Sequence, residues 1–358
     1  MTLRVAIVGC GKAAENHITE VKKRHHTNVV AVCDSEPLMA EQFSVRHGIV
    51  ANYCDFGRML GEQQPDVVHI TTPPQSHCLL ALQSIDAGCH VFVEKPFAET
   101  RDSAAEMIRS AENAGCKLTI GWTYYFDPVV RMMRELVAHG QIGEPVHLSV
   151  FHAYDLQGHF GRAVLEDPNH WVHQLKGGLL HNNLDHLFSL IVEFVEEEAT
   201  TLSVNAWKAA DSPYAGLMDE LRLSMASDHL SVEVGFSSRA RPLGHSVTLV
   251  GTKSTIHLNI ANQTLIQDRA SNLPGPLGRI ACGLDQTKQA ASRLVRNCTR
   301  FVRSDFPALP GLGHLISSFY DSIEYDHDLP IPYEHILRVS SWLNEVVNRV
   351  EQTRAVSL

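Results

Sequence analysis

Between Leu3 and Ile120, short β-branched runs alternate with helix-periodic segments, and no other feature of the chain restricts its fold so strongly. The runs are Leu3 to Gly9, Asn28 to Cys33, Asp66 to Thr71, Cys89 to Glu94 and Cys116 to Ile120. Helical patterns separate them: Lys12 to His25 with Ala14, Ile18 and Val21 on one side, Ser76 to Ala87 closed by Gly88, and Arg101 to Ala114 closed by Gly115. A strand that is apolar on both faces must be covered on both, and intervening helices supply the cover. The pattern predicts an α/β domain with a doubly wound parallel sheet.

Beyond Glu144 the texture changes. Pro145 to Tyr154, Thr201 to Lys208, Asp219 to Ala226, His229 to Ser237, His245 to Val250 and Ser254 to Ile260 are strand-length runs, several joined by turns such as Gly251-Thr252-Lys253. Successive strands without helices between them predict an α+β domain with a large, mostly antiparallel open sheet. At roughly 100 to 200 residues per domain, 358 residues make two, expected at 1–121 and 122–358 with the division near Gly121.

A basic amphipathic helical insertion is expected at about 277–305. Leu284, Ala291, Leu294, Val295, Cys298, Phe301 and Val302 share one face, with Lys288, Arg293, Arg296, Arg300 and Arg303 largely off it. Two readings stay open for it: packing on its own subunit or a partner, or contact of residues 284–303 with an anionic membrane surface or a long phosphorylated substrate. The last helix, near Tyr333 to Thr353, should pack as core through Ile336, Leu337, Val339, Leu343, Val346, Val347 and Val350.

The formal net charge of −10 has the wrong sign for a phosphate-binding surface, so no nucleic-acid partner is expected. Eight cysteines include no CxxC pair, and six lie among apolar residues of the first third, which reads as reduced, buried thiols in a cytoplasmic protein. No apolar run approaches the ~18 residues of a transmembrane helix. Met1-Thr2-Leu3-Arg4 passes straight into a strand, too briefly for a signal peptide.

The chemistry begins at the first turn. Gly9, Cys10, Gly11, Lys12, Ala13 and Ala14 form GxGxxA between a strand and a helix, where glycines admit a pyrophosphate to a helix N-terminus and Ala14 lets that helix lie close to the sheet. Asp34 ends the second strand, placed to accept from both ribose hydroxyls of an adenosine, and Glu36 adds charge nearby. With no arginine in that stretch, NAD is expected in preference to NADP. Thr71, Thr72, Pro73 and His77 of the TPPxxH cluster, and Glu94 and Lys95 of a Glu-Lys-Pro sequence, end later strands on the same edge.

GxGxxA, Asp34, TPPxxH, AGxHVxxEKP from Ala87 to Pro96, and Gly140-Gln141-Ile142-Gly143-Glu144-Pro145 together resemble the Gfo/Idh/MocA oxidoreductases, nicotinamide-dependent enzymes acting mostly on sugars and cyclitols. The resemblance covers nearly the whole chain and implies a Rossmann domain binding NAD. It points to Lys95 as the lysine between nicotinamide and substrate hydroxyl, where an ammonium stabilises a developing alkoxide. It places Asn182 where an Asp is common and His186 at the catalytic position of a helix opening with Gly177-Gly178, one turn apart on one face. His186 exchanges a proton near neutral pH, whereas Asn182 can only orient by hydrogen bonding. Tyr125 stands where an Arg is frequent, so Trp122, Tyr124 and Tyr125 suit either stacking on a sugar ring or core packing. His170, Trp171 and His181 complete the expected substrate-side residues, and no metal is expected, because the histidines lack a matching carboxylate or cysteine pattern.

The leading expectation is an NAD-dependent dehydrogenase of a secondary alcohol of a sugar, sugar derivative or cyclitol, with Lys95 and His186 sharing the proton work. The alternatives are redox cleavage of a glycoside with the hydride retained in the site, or a non-catalytic NAD-binding regulatory or scaffold protein, suggested by Asn182, Tyr125 and the basic helix. By analogy with the family a homodimer or homotetramer is expected.

Overall fold

The computed structural model describes residues 2–195, 201–209, 218–307 and 309–356. The chain forms two compact units, one of Met1–Thr123 with Leu312–Asn344 and one of Tyr124–Gly311 with Glu345–Leu358. Residues 312–344, expected in the second domain, fold with the first.

The first unit alternates as its pattern dictates: β1 (Leu3–Val8), α1 (Lys12–Val21), β2 (Thr27–Cys33), α2 (Pro37–His47), β3 (Ala51–Tyr53), α3 (Phe56–Gln63), β4 (Val67–Ile70), α4 (His77–Asp86), β5 (His90–Val93), α5 (Arg101–Ala114) and β6 (Leu118–Ile120). All six strands are parallel, in the order β3-β2-β1-β4-β5-β6, the dinucleotide-binding arrangement. One core cluster joins Ile7 of β1 and Val32 of β2 to Ala14 and Ile18 of α1 and Phe43 of α2. Burying Ile18 or Phe43 contributes about 1.5–3 kcal/mol each, which holds α1 and α2 against the sheet.

The second unit begins with α6 (Pro128–Ala138), β7 (Pro145–Ala153), α7 (His159–Glu166), α8 (Trp171–Gln174) and α9 (Gly178–Ser189). Then come β8 (Thr201–Trp207), β9 (Glu220–Ala226), β10 (Ser231–Ser237), β11 (Gly244–Gly251), β12 (Ser254–Asn259) and β13 (Thr264–Arg269). They form one seven-stranded sheet, β13-β12-β11-β7-β10-β9-β8, antiparallel except that β7 and β10 run parallel. Burial alternates along β9 and β10, so one face is covered while Arg222, Ser224, Ser231 and Glu233 point outward. Helix α9 lies against β7 and β10.

The basic helix exists as α10 (Gly275–Val302), 28 residues long and packed on β13. Its apolar side chains are nonetheless exposed, Leu284 at 66%, Leu294 at 64%, Val295 at 66% and Phe301 at 74%. Finally α11 (Pro310–Glu324) and α12 (Tyr333–Val356) follow, and Ile336, Val339, Leu343, Val346, Val347 and Val350 of α12 are buried. Among the described residues no helix is long and apolar enough to cross a membrane. All eight cysteines are free, but only Cys10, Cys33, Cys89 and Cys116 are buried; Cys78 and Cys282 are half-buried, and Cys54 and Cys298 exposed, which corrects the expectation of uniformly buried thiols.

Candidate active site

The first turn is built around Gly9, whose φ of +87° suits glycine and whose added Cβ would lie 2.8 Å from the Thr71 carbonyl carbon and from Thr72 atoms. A Cβ on Gly11 would meet nothing within 4 Å, so the N-terminus of α1 is open just where GxGxxA leaves room. The Asp34 carboxylate accepts from the Cys10 amide at 2.6 Å and the Glu36 amide at 3.0 Å, which fixes it against the turn. Two amide bonds leave a carboxylate with acceptor capacity to spare. A cavity of about 340 Å³ beside the turn is lined by Cys10, Gly11, Lys12, Phe43 and Arg46, among others. Arg46 lines this cavity from α2, its guanidinium paired with Glu15.

Thr71 is buried and donates its hydroxyl to the Gly9 carbonyl at 2.7 Å, tying the end of β4 to the first turn. Ser76 donates to the Thr72 hydroxyl at 2.7 Å. His77, fully buried, sits between the Thr72-Pro73 turn and the Glu94-Lys95-Pro96 loop, with Nε2 2.8 Å from the Thr72 carbonyl and Nδ1 2.9 Å from the Pro96 carbonyl; as a neutral ring it donates to one of the two at a time. Burial lowers the pKa of His77 against the pull of those carbonyls. Glu94 accepts from His17 Nε2 at 2.9 Å and from the Lys95 amide at 3.1 Å. Burial alone would push Glu94 up; the His17 hydrogen bond, the Lys95 charge and the Lys95 amide outweigh it and leave Glu94 below the ordinary carboxylate value. Lys95 itself is half-buried.

In the second unit, α9 opens at Gly177, φ +80°, where an added Cβ would meet the Val347 side chain at 2.9 Å. Asn182 is 4% exposed and His186 half-buried on the same helix. The His186 ring lies 4.8 Å from that of Tyr124, and Tyr124 lies 4.2 Å from His245. His245 stacks on its cross-strand partner His152 at 3.7 Å. Sequence reading missed both, because their β-strand context carries no motif. His170 accepts from the Val172 amide at 3.3 Å and packs edgewise near Phe160, with Trp171 beside it.

Three expected substrate-side residues are placed otherwise. Trp122, 1% exposed, presents no ring face. Tyr125 is buried, its hydroxyl given to Glu193 and its ring covered by the Arg134 guanidinium at 3.4 Å. His181 is buried and donates from Nδ1 to the Lys176 carbonyl at 2.8 Å, bracing the loop before α9. Among the described residues no group of three or more His, Cys, Asp or Glu could hold a metal ion.

An oxidoreductase-family model, described as an NAD-binding Rossmann fold, matches residues 3–122, and a GFO/IDH/MocA C-terminal domain model matches residues 130–257. The chain belongs to the Gfo/Idh/MocA oxidoreductase family. It is 36% identical over 143 residues to D-glucoside 3-dehydrogenase of Escherichia coli (strain K12), covering 40% of this chain and 41% of that one. It is 29% identical over 155 residues to inositol 2-dehydrogenase of Ralstonia nicotianae, covering 42% and 46%. The chain thus spans less than half the length of these two relatives. Its fold is that of a putative myo-inositol dehydrogenase from Sinorhizobium meliloti 1021, with a TM-score of 0.75, 18% identity and 98% of both chains covered. The open helix end at Gly11 and the fixed Asp34 carboxylate fit the dinucleotide that this family's first domain binds.

Two buried rings make a pH prediction. Burial holds both His69 and His245 well below the ordinary histidine pKa. The folded state keeps both rings neutral, while the unfolded chain takes up protons below about pH 6.5. The unfolded state therefore binds more protons there, and stability, full above about pH 6.5, falls below it by up to about 1.4 kcal/mol per pH unit for each ring. Thermal melts should show a flat Tm that declines on the acid side. His69→Phe and His245→Phe should each flatten that decline; an unchanged acid limb in both variants would contradict the assignment.

Proposed function

We propose that this protein is an NAD-dependent oxidoreductase moving hydride between nicotinamide and a secondary alcohol of a sugar, sugar derivative or cyclitol. One observation carries the reading: the glycine turn, Asp34, the Thr71–His77 cluster and Glu94-Lys95 converge at the carboxyl edge of one parallel sheet, joined by the Thr71 hydrogen bond and by the His77 ring between the last two. That edge is where open α/β sheets take their ligands. The names of the relatives, a glucoside dehydrogenase and an inositol dehydrogenase, support the substrate class.

Bound NAD supplies a hydride acceptor at the nicotinamide. Gly9 to Ala14 and the start of α1 hold its pyrophosphate, and Asp34 its adenosine ribose. Lys95 stabilises the developing alkoxide with its ammonium, and His186 takes the hydroxyl proton. Asn182 orients by hydrogen bonding without carrying charge. Tyr124, His170 and Trp171 remain the substrate-side aromatic residues. Asp34 and Glu36 favour NAD over NADP, and Arg46 is engaged by Glu15.

Asp34→Ala is expected to weaken NAD binding about 10-fold to 100-fold, the loss of one or two charge-assisted hydrogen bonds, while NADP binding is unchanged or improved. Calorimetry with both cofactors reads this directly, and an equal loss for the two would refute the ribose role. The activity is tested by absorbance at about 340 nm with NAD against inositols, free sugars, glycosides and nucleotide sugars, with product analysis alongside. NADH formation on one group supports the reading. Cleavage of a glycoside without net NADH replaces it with the hydride-retaining reaction, and NAD binding with no turnover of any compound points to a non-catalytic protein.

A further inference from the structure

A line of four polar side chains, three of them fully buried and the fourth, Glu94, half-buried, crosses the first unit and ends beside Lys95. Tyr320 of α11 lies 2.9 Å from His69 Nε2 on the central strand β4. His69 Nδ1 lies 2.7 Å from His17 Nδ1 on α1, and His17 Nε2 lies 2.9 Å from Glu94. Tyr320, His69 and His17 are each 0% exposed.

The donors and acceptors can be assigned from the ends inward. Tyr320 has no hydrogen-bond acceptor other than His69 among the described residues, and burial raises its hydroxyl pKa, so it remains a donor. His69 Nε2 is then an acceptor, and its Nδ1 carries the proton. That proton is given to His17 Nδ1, leaving Nε2 as the N–H that meets Glu94. An ionised carboxylate only accepts, so every link agrees. The opposite sense would leave the Tyr320 hydrogen buried without an acceptor, at a cost of about 1–3 kcal/mol. Gly121 makes room at the end of the line, because a Cβ there would lie 2.9 Å from Glu94 Oε1.

We propose that Tyr320, His69 and His17 form a hydrogen-bond chain of single sense that fixes the Glu94 carboxylate beside Lys95, making these three residues positioning residues of the site. Its connection to hydride transfer rests on the reading of Lys95 above. The charged and titratable groups around Glu94 are His17 from α1, His69 behind it from β4, His77 from α4, and Lys95 on its own loop. At the far end Arg24 lies over the Tyr320 ring and pairs with Asp321 and Glu324.

The test is long-range ¹⁵N–¹H correlation and ¹³C carboxyl titration on the full-length protein without cofactor or substrate, so its outcome is independent of the activity assay. Signals are assigned by their loss in His17→Leu, His69→Phe and Glu94→Gln, with circular dichroism confirming that each variant folds. The chain requires His17 as the Nε2–H tautomer and His69 as the Nδ1–H tautomer. It also requires the Glu94 titration to move up by at least about one pH unit in His17→Leu, a tenfold change in proton affinity, and to return in His17→Gln, whose amide again donates. Tyr320→Phe, which removes only a hydroxyl, should shift the His17 nitrogen resonances. A His69 found as the Nε2–H tautomer, a Glu94 titration indifferent to His17→Leu, or His17 resonances unmoved by Tyr320→Phe would each overturn the proposal.

Discussion

Lys95→Met is expected to lower turnover about 10²-fold to 10⁴-fold, the range of a lost proton-transfer or oxyanion-stabilising group, while leaving NAD affinity within about twofold. The side chain leaves the sheet at the end of β5, half-buried, with its amide on Glu94 and His77 beside its loop. Methionine keeps the apolar stem and removes only the charge, so the packing of the loop is retained. Initial rates on the substrate found by the panel, together with calorimetry of NAD binding, separate the two quantities. A variant with full turnover would remove Lys95 from the chemistry, and a variant that bound no NAD would make it a cofactor-binding residue first.

Gly9→Ala should produce the largest structural effect of any single methyl group in the first unit. The left-handed φ costs about 1–3 kcal/mol for a non-glycine residue. The new Cβ would lie 2.8 Å from the Thr71 carbonyl carbon and the Thr72 nitrogen, backbone atoms with nowhere to go. A total near 3 kcal/mol lowers Tm by about 6–12 °C for a unit of this size. NAD affinity should fall at least tenfold, because the turn that fixes Asp34 through the Cys10 amide is the part displaced. Gly11→Ala is the contrast: its Cβ meets no protein atom, so it should cost little in Tm and act on cofactor binding alone. Equal melting temperatures for Gly9→Ala and the parent protein would contradict the account of the turn.

What the sequence made legible was local chemistry. GxGxxA, Asp34, TPPxxH and Glu-Lys-Pro each lie within a few residues of a strand end, and a parallel sheet delivers all its strand ends to one edge, so reading the alternation placed the motifs. Elements with weak periodicity were not read. Strand β3 has only three residues, α3 is interrupted by Gly57 and Gly61, and β13 carries polar Gln267 and Asp268 among its six. The parallel pairing of β7 with β10 was hidden because α7 to α9, β8 and β9 all lie between them in the chain, a long connection of the kind parallel neighbours need. Pairings at long range were out of reach in principle. Tyr320 and His69 are 251 positions apart, and nothing in either neighbourhood marks the other. Tyr125 illustrates the opposite limit: composition left it equally suited to a sugar face and to a core, and the Glu193 and Arg134 contacts decided between them.

The central claim is that hydride passes between nicotinamide and a carbinol carbon, and isotope transfer tests it most directly. The protein is incubated with NAD and the active panel compound carrying deuterium at its secondary carbinol positions, and the recovered cofactor is analysed by mass spectrometry and proton NMR. The account predicts NADH one mass unit heavier, with the deuterium on one face of nicotinamide C4, formed about 10²-fold to 10⁴-fold more slowly by Lys95→Met. Conversion of the compound with the recovered cofactor unlabelled throughout would contradict it.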